Sequence, residues 1–426
     1  MREMNDSGIE WIGAIPIHWK CCRQKYEIQL LNGRAYKDTE FEEDGTYKIL
    51  RVGNLYSNST WYTSSLELAQ TKYCFNGDLL YSWSMSYGPH IWHGDKVIYH
   101  YHIWKAELKN DMVMKYAYYY LLALTNNIKA ETHETTMGFV TMGNMNNSYI
   151  VVPPCKEQIL IATYLDKTCS KLDSIYDDIQ HQIELLQEYK QSVITEAVTK
   201  GLDKNVAMKD SNEFIGKIPQ SWSICKVKHV SDFVTDGAHI SPDTSEEEYL
   251  FLSVTDMDDY GNLNFDNCLR ITTAQYNYLV RTGCKPQKND VIISKDGTIG
   301  KTTIIETDKD FVVASSLVII HPSKNKIIAK YLRYSLMSKF VQEQLQMLLA
   351  GSALKRVSVG KNANLKIVYT SNINEQEDII DYLDKKCAEI DAILADKQKQ
   401  LDTLTEYKKS LIYEYVTGKK EVPADA

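Results

Sequence analysis

The stretch Ile12-Gly13-Ala14-Ile15-Pro16-Ile17-His18-Trp19 recurs, with substitutions, as Ile215-Gly216-Lys217-Ile218-Pro219-Gln220-Ser221-Trp222, 203 residues further along the chain. Internal self-similarity over such a distance constrains an architecture more strongly than any single motif does. The chain has 426 residues and 44% hydrophobic content, enough for two units that each bury a core. The repeat therefore predicts a duplicated unit and two domains of ordinary size.

Further matching segments extend the duplication through most of the chain. Their offsets rise from 212 to 218 residues, so the second copy is the longer one. The matching pairs are Gly77–Ser82 with Asn289–Ser294, Gly88 with Gly300, Tyr164–Lys167 with Tyr382–Lys385, and Glu188–Ser192 with Glu406–Ser410. Each copy is thus expected to be a globular body followed by a long helical segment.

The globular bodies have the pattern of a mixed α/β fold. Short apolar runs bounded by turn residues predict buried strands, and longer stretches with apolar residues three and four apart predict helices. The strands are expected at Asp78–Trp83, Asp290–Ser294, Thr303–Glu306 and Phe311–His321, and the helices at Tyr116–Thr125 and Lys330–Leu349.

Two segments, Lys156–Lys200 and Asn374–Lys420, have apolar residues at alternating steps of four and three, which is typical of a coiled-coil seam. Lys397 interrupts the second seam. The first seam comprises Leu165, Cys169, Leu172, Tyr176, Ile179, Ile183, Leu186 and Val193, and the second comprises Leu383, Cys387, Ile390, Leu394, Leu401, Leu404 and Leu411.

A helix of about 45 residues extends about 68 Å, too far to bury its apolar stripe against one small body. We therefore expect the two helices to pair as an antiparallel coiled coil, which would relate the bodies by an approximate two-fold axis. The alternative is two separate surface helices, each packed on its own body. The predicted divisions are residues 1–155 and 204–373 for the bodies, and residues 156–203 and 374–426 for the helical spacers.

Composition favours a soluble, cytoplasmic protein without a metal centre. No stretch approaches 18 consecutive apolar residues, which a membrane helix would need. The nine cysteines include no C-x-x-C pair, which indicates reduced thiols. His100 and His102 alternate on an expected strand, but ligands at zinc-site spacing are lacking.

The net charge of −8 at first argues against a nucleic-acid partner, because lysine and arginine contacts to phosphate dominate DNA affinity. The two helical segments hold 19 acidic and 13 basic residues, whereas the rest of the chain holds 37 acidic and 35 basic residues. The bodies are therefore nearly neutral and can present a basic face, although composition alone does not establish one.

The order of body, helix, body, helix resembles the specificity subunit of type I restriction-modification systems. The resemblance covers nearly the whole chain and depends on the order and duplication of several short motifs. These motifs are the W-I-G-x-I-P-x-H-W opening at Trp11–Trp19 with its second copy, Asn76–Leu80, Gly351–Ala353, and the helix openings Lys156-Glu157-Gln158 and Asn374-Glu375-Gln376.

The resemblance implies that each body is a target-recognition domain for one half of an asymmetric, bipartite site on double-stranded DNA. It implies that the helices set the half-site spacing and dock two methyltransferase subunits, and that restriction/translocase subunits join for cleavage. S-adenosylmethionine, ATP and magnesium would then be bound by those partners, which modify adenine N6 and cut DNA. This chain would be non-catalytic and bind no cofactor itself.

Two segments come close to catalytic motifs without satisfying them. Val151–Cys155 has the paired prolines of an adenine methyltransferase tetrad but lacks the amide donor and the stacking aromatic residue, so it is interpreted as a helix-entry linker. Lys295–Thr302 has two residues between its glycines where a phosphate-binding loop needs four. It is interpreted as a tight turn between strands, from which Lys295 and Lys301 could face DNA phosphate; a merely solvated hairpin is the alternative.

Polar and cationic residues on predicted loops are the candidate DNA contacts, because base edges are read by such side chains. The strongest candidates combine a cation with a small or glycine-containing loop: Arg34, Lys295, Lys301, Lys355 and Arg356. The others are Tyr36, Lys37, Arg51, Asn54, Ser82, Ser84, Tyr87 and His90 in the first body, and Asp236, His239, Thr298, Ser352 and Ser358 in the second. An ordinary surface loop remains the alternative at each position.

Two other functions stay open on the sequence alone. A self-sufficient DNA-modifying enzyme would modify or cleave DNA as an isolated chain. A coiled-coil scaffold that binds only proteins would show no DNA sequence preference, even with its partners present.

Overall fold

The computed structural model describes residues 2–84, 86–132, 140–211, 213–245, 248–258, 261–350 and 355–424. The chain forms two compact units. The first comprises Met1–Gln180 and Lys399–Ala426, and the second comprises His181–Gln398. Each unit contains one globular body and parts of both long helices.

The first body contains two four-stranded sheets, ordered β6-β5-β10-β7 and β4-β11-β8-β9, and two small sheets, β1-β2 and β12-β3. Helices α1 (Met114–Thr132) and α2 (Met142–Asn147) precede the long helix α3 (Cys155–Lys200). The strands are β1 (Met4–Asp6), β2 (Ala14–Pro16), β3 (Lys20–Arg23), β4 (Ile28–Asn32), β5 (Tyr47–Leu50), β6 (Tyr62–Ser64), β7 (Tyr73–Cys74), β8 (Leu79–Ser82), β9 (Gly88–Ile91), β10 (Val97–Tyr99), β11 (Ile103–Leu108) and β12 (Tyr149–Val152).

The second body contains a four-stranded sheet, β16-β22-β19-β20, a three-stranded sheet, β18-β17-β21, and the pairs β13-β14 and β15-β23. Its helices are α4 (Thr273–Arg281), α5 (Ala329–Met337), α6 (Lys339–Ala350) and α7 (Val359–Ala363), followed by the long helix α8 (Ile373–Val416). The strands are β13 (Met208–Asp210), β14 (Lys217–Pro219), β15 (Ser223–Lys226), β16 (Ser231–Asp236), β17 (Tyr249–Leu252), β18 (Leu269–Ile271), β19 (Val291–Ser294), β20 (Thr302–Ile304), β21 (Phe311–Val313), β22 (Leu317–Pro322) and β23 (Lys366–Tyr369).

The two bodies repeat the same topology, which confirms the duplicated mixed α/β architecture predicted from the sequence. The sheet order β4-β11-β8-β9 corresponds strand by strand to β16-β22-β19-β20. The parallel pair β5 and β10 corresponds to the parallel pair β17 and β21. Where the second body has α4 after β18, the described residues of the first body form only a short 3-10 turn, Gln70–Lys72, after β6; α4 lies in the part of the second body that is longer in sequence.

The repeated sequence motifs meet where each body joins its long helix. The indole nitrogen of Trp19 donates to Glu157 Oε2 at 3.0 Å, and the indole nitrogen of Trp222 donates to Glu375 Oε2 at 3.0 Å. The next residue accepts a backbone N–H from the residue just before a helix of the body: Gln158 from Val113, before α1, at 2.8 Å, and Gln376 from Ile328, before α5, at 2.9 Å. These contacts explain why tryptophan and the Glu-Gln pair recur together.

Each body also holds the C-terminal end of the other copy's helix. In the first unit, the buried Tyr116 hydroxyl lies 2.8 Å from the Val151 carbonyl and 2.9 Å from the Val416 carbonyl, at the end of α8. In the second unit, the Tyr331 hydroxyl lies 3.5 Å from the Val198 carbonyl, near the end of α3. Carbonyls at a helix end lack intrahelical donors, and the Tyr116 hydroxyl is placed to donate to Val416, whereas the Tyr331 hydroxyl reaches Val198 only at the limit of hydrogen-bond distance.

Within each unit the long helices run antiparallel. In the first unit Asp173 of α3 forms an ion pair with Lys408 of α8, while the rings of Tyr164 and Tyr415 lie 4.7 Å apart. In the second unit Lys190 forms an ion pair with Asp391 at 2.6 Å. Residue numbers thus rise along one helix as they fall along its neighbour, as expected.

Most of the expected seam is buried. Ile179, Leu186 and Leu404 are half-buried, and Tyr176 is 38% exposed, so the expectation was wrong at Tyr176. The buried members are Leu165, Cys169, Leu172, Ile183 and Val193 on α3, and Leu383, Cys387, Ile390, Leu394, Leu401 and Leu411 on α8.

Four local expectations were wrong. Phe311–His321 is two strands in two sheets, separated by a turn in which Leu317 N–H donates to the Ala314 carbonyl. Lys330–Leu349 is two helices that break at Ser338. Helix α8 ends at Val416, not Lys420. His100 and His102 lie in the connection between β10 and β11, not on one strand.

Among the described residues, no helix is both long and apolar enough to cross a membrane. The same residues contain no group of three or more histidine, cysteine or carboxylate side chains suited to holding a metal ion.

The structure predicts that Gly33→Ala and Gly237→Ala will each destabilise their body by about 2 kcal/mol, because an added Cβ would meet backbone atoms. That Cβ would lie 2.2 Å from the His100 carbonyl oxygen or 2.0 Å from the Val313 carbonyl oxygen. Thermal unfolding measures the effect. Gly360→Ala is the control, because no atom lies within 4 Å of its added Cβ. Equal melting temperatures for all three variants would contradict the prediction.

Candidate nucleic-acid interface

Three loops of the first body meet at the ends of β4, β5 and β10. The backbone N–H of Arg34 donates to the Tyr99 carbonyl at 3.1 Å, and Tyr101 N–H donates to the Arg34 carbonyl at 3.0 Å. His100 N–H donates to the Leu50 carbonyl at 2.9 Å. Gly33 permits this close crossing because it has no Cβ to strike the His100 carbonyl. The crossing gathers residues 33–37, 51–54 and 99–102.

The second body repeats this crossing bond for bond. Ala238 N–H donates to the Val313 carbonyl at 2.8 Å, and Ser315 N–H donates to the Ala238 carbonyl at 2.9 Å. Ala314 N–H donates to the Leu252 carbonyl at 2.7 Å. The backbone frame is therefore the same in both bodies, whereas the side chains on it differ.

In the first body the Arg34 guanidinium donates two hydrogen bonds to the Glu40 carboxylate, from Nη1 to Oε2 at 3.1 Å and from Nη2 to Oε1 at 2.5 Å. The Lys37 backbone N–H donates to the same carboxylate at 2.8 Å, and the Tyr36 ring lies 5.2 Å from the guanidinium. The hydrogen bond from Arg34 is the main cause that lowers the pKa of Glu40. Arg34, Tyr36 and Lys37 thus lie together around one carboxylate.

Arg51 differs from Arg34 in having no carboxylate partner among the described residues. Its guanidinium lies 4.1 Å from the centre of the Tyr62 ring, and its Nε is buried without an acceptor. The Asn54 side chain accepts the Arg51 backbone N–H at 3.1 Å and donates to the Asn58 and Thr60 carbonyls. Within the described part of the chain, Arg51 is therefore a cation without a carboxylate partner beside the crossing.

In the second body, five polar side chains gather at the crossing. Arg356 grips Asp296, with Nε 2.8 Å from both carboxylate oxygens and Nη2 2.6 Å from Oδ2. Asp236 bonds both Lys295 and the exposed His239, the latter at 2.8 Å. These contacts place Asp236, His239, Lys295, Asp296 and Arg356 in one cluster.

Lys295 was expected to be free to face DNA phosphate, and this expectation was wrong for the described conformation. Lys295 is only 3% exposed and is paired with Asp236. A buried lysine needs such a partner, because an unpaired buried charge is strongly destabilising. Lys301 is half-buried and donates to the Met257 carbonyl at 3.1 Å. Lys355 is exposed, and no described side chain forms an ion pair with it.

The segment Lys295–Thr302 forms the expected tight turn between antiparallel strands β19 and β20. Gly297 and Gly300 have φ values of 67° and 92°, which other residues rarely adopt. The Ser294 hydroxyl closes the turn by donating to the Thr298 carbonyl at 2.6 Å and accepting Lys301 N–H at 2.9 Å. The Thr298 side chain is exposed on this turn.

Ser82 occupies the corresponding position in the first body and plays the same part. It is fully buried, and its hydroxyl donates to the Ser86 carbonyl at 2.7 Å. Ser82 therefore shapes the loop and is not exposed for direct contact, contrary to expectation. Ser84 and Tyr87 on this loop are half-buried, and Lys129 lies 5.1 Å from the Tyr87 ring.

Burial lowers the pKa values of His90 and His100 to about 4 each, so both imidazoles are neutral near pH 7. His90 Nε2 lies 3.1 Å from the Tyr56 hydroxyl. These rings can form hydrogen bonds but add no charge to the site. In the second body, the Ser358 hydroxyl caps α7 by accepting Lys361 N–H at 3.3 Å, and Ser352 lies outside the described residues.

Sequence reasoning missed the two carboxylates that hold the arginines. Glu40 follows Arg34 by six residues, and Asp296 precedes Arg356 by 60 residues. The proximity of Glu40 in sequence was a usable signal. Asp296 lies next to Arg356 only because two distant segments pair, with the Val357 N–H donating to the Lys295 carbonyl at 3.1 Å.

Comparison with known proteins identifies the repeated unit. The family described as the type I restriction modification DNA specificity domain matches residues 17–185 and 219–403. The EcoBI specificity subunit of Escherichia coli is 22% identical over 408 residues, which cover 92% of this chain and 84% of that protein. The MjaVIII specificity subunit of Methanocaldococcus jannaschii is 25% identical, covering 81% and 79% of the two chains.

A solved structure shares the fold. It addresses complex assembly and conformational transition of a type I restriction-modification system, and one of its chains superimposes with a TM-score of 0.66. That chain is 14% identical to this one, and the match covers 95% of this chain and 99% of the other. Since the family match spans both copies of the repeated unit, the chain belongs to the type I restriction-modification DNA specificity family.

Proposed function

We propose that this specificity subunit reads double-stranded DNA with the loop cluster at each strand crossing, one in each body. The observation that carries the proposal is that the two crossings share a backbone frame but present different side chains. Two bodies that share a backbone frame but carry different exposed side chains are suited to binding two different DNA sequences. The target is therefore bipartite and asymmetric.

The side chains in the clusters suit DNA chemically. An arginine fork matches the O6 and N7 acceptors of guanine, and a carboxylate can accept from the cytosine amino group. Arg34 and Arg356 supply forks, while Arg51 and Lys355 are cations without carboxylate partners among the described residues. Such cations suit phosphate, which positions a protein on the duplex without reading sequence.

The chain's own contribution is position and choice of sequence, and we assign the chemistry to its partners. Adenine-N6 methyltransferase subunits and restriction/translocase subunits bind S-adenosylmethionine, ATP and magnesium in this proposal. The paired helices set the distance between the two readers and hence the unspecified gap in the target. Neither a self-sufficient enzyme nor a protein-only scaffold accounts for the family match.

Lys355→Ala combined with Arg356→Ala is expected to weaken DNA binding at least ten-fold, because two cations leave the second reading cluster. The slope of log affinity against log salt should become shallower by about one to two, since fewer counterions are released. Lys288→Ala is the control, because its partner Asp308 is 87% exposed on a different loop. Unchanged affinity and slope in the folded double variant would refute the placement.

Each unit carries the same exposed patch on its helix pair, which suits docking of two identical subunits. In the first unit, exposed Ile175 and Tyr407 flank the Asp173–Lys408 ion pair. In the second unit, exposed Ile393 and Tyr189 flank the Asp391–Lys190 ion pair. These residues are identical between the copies at the offset of 218. Identical patches on otherwise diverged repeats favour a partner present twice, as two methyltransferase subunits would be.

Ile175→Asp combined with Ile393→Asp should therefore abolish co-purification of the methyltransferase subunits, and each single variant should retain one copy. Docking would bury the introduced aspartate against apolar side chains without a hydrogen-bond or ion-pair partner, which is unfavourable. Mass measurement of the purified complex gives the stoichiometry. Leu160→Asp is the matched control, because Leu160 is 57% exposed and the second copy already has Asp378 there. Two retained copies in the double variant would contradict this docking site.

A further inference from the structure

In each reading cluster one arginine is held by a carboxylate and at least one other cation forms no ion pair with a described residue; Lys295, which Asp236 also holds, is almost fully buried. In the first body, Arg34 is held by Glu40 and Arg51 has no carboxylate partner among the described residues. In the second body, Arg356 is held by Asp296 and Lys355 forms no ion pair with a described residue. The same division of roles occurs on two loop sets that share little sequence.

The Arg34–Glu40 and Arg356–Asp296 pairs, here called clamps, have two features in common. Both contacts involve two carboxylate oxygens: Arg34 donates from Nη1 and Nη2 to the two oxygens of Glu40, whereas Arg356 Nε lies 2.8 Å from both oxygens of Asp296 and its Nη2 lies 2.6 Å from Oδ2. Both carboxylates are less exposed than their arginines, at 18% against 33% for Glu40 and Arg34, and 25% against 47% for Asp296 and Arg356. The carboxylate thus lies beneath a guanidinium that is directed outward.

Ion pairs that stay partly open to solvent contribute little to folding stability, so stability alone does not explain two such pairs at the reading loops. Competition with DNA phosphate offers another role for the two carboxylates. Any DNA phosphate attracts a cation that has no counter-ion. To bind Arg34 or Arg356, however, the phosphate must displace the carboxylate that already pairs with the arginine. A guanine edge at the correct position offers two acceptors that match the fork and can offset the loss of the clamp.

We propose that Glu40 and Asp296 are counter-ions that withhold Arg34 and Arg356 from phosphate and so raise the discrimination between target and non-target DNA. The inference depends on the proposed function, because it requires the loop clusters to contact DNA. Arg51 and Lys355 then attract any DNA duplex. Arg34 and Arg356 leave their carboxylates only where the edge of a guanine offers acceptors that replace the lost bonds.

The test compares Glu40→Gln and Asp296→Asn in the full chain with its methyltransferase partners. Binding is measured to a target duplex and to a non-target duplex of equal length over a salt series. We expect non-target affinity to rise about three-fold in each variant, and its log–log salt slope to steepen by about 0.9, because one more phosphate is neutralised. Target affinity should rise less, so the ratio of target to non-target affinity falls.

Asp308→Asn removes the same charge from an exposed ion pair with Lys288 and is expected to change neither affinity nor slope. Non-target affinity that is unchanged, reduced or equal to that of Asp308→Asn would overturn the proposal. A purely structural clamp would weaken binding to both duplexes without steepening the slope. Because the two clamps lie in separate bodies, either variant tests the proposal if the other fails to fold.

Arg34→Ala and Arg356→Ala separate this inference from the proposed function. If these variants bind the target normally, the clusters do not read DNA and the proposed function fails. If they lose target affinity while Glu40→Gln and Asp296→Asn gain no non-target affinity, the reading function stands and the counter-ion role fails.

Discussion

Burial of the apolar seam between α3 and α8 is the constraint on which the rest of the structure depends. Helix α3 has 46 residues and α8 has 44, so each extends well beyond what one body can cover. Pairing of the helices buries residues such as Leu165 and Leu383. Because the helices run antiparallel, each body receives the start of its own helix and the end of the other.

The junctions convert that pairing into a frame for recognition. Trp19 with Glu157, and Trp222 with Glu375, lock a body to the start of a helix by the same indole–carboxylate bond. The Tyr116 hydroxyl completes the junction by satisfying a carbonyl at the end of α8. With the junctions kept in both copies, the loops at the strand crossings are free to differ. Variable loops on a shared backbone frame are how one fold serves different targets.

Features encoded by periodicity or repetition could be predicted from the sequence. The duplication, the antiparallel helix pair and the turn at Gly297 and Gly300 each have a local or repeated pattern. Breaks inside apolar runs were harder to predict. The Phe311–His321 run is split by the small residues Ala314, Ser315 and Ser316, whose effect becomes evident only when the turn bonds to Leu252 of β17 and to Ala238, after β16.

The candidate site was predictable as a set of loops but not as a set of contacts. Lys295 looks like a surface cation in sequence, yet its partner Asp236 is 59 residues away and reaches it only through the pairing of β16 and β19 with β22. Ser82 lies where the predicted strand Asp78–Trp83 passes into a candidate loop, but its hydroxyl donates to the Ser86 carbonyl inside the turn. Long-range pairing decides which polar residues remain available, and local patterns do not contain that information.

Mapping methylated adenines in a genome that carries this chain with the methyltransferase partner proposed above tests the central claim most directly. Two unlike readers on one duplicated frame predict a single recognition sequence made of two different specified parts, separated by an unspecified gap of constant length, with one adenine modified in each part on opposite strands. A continuous sequence, two identical parts or a gap of variable length would contradict the account.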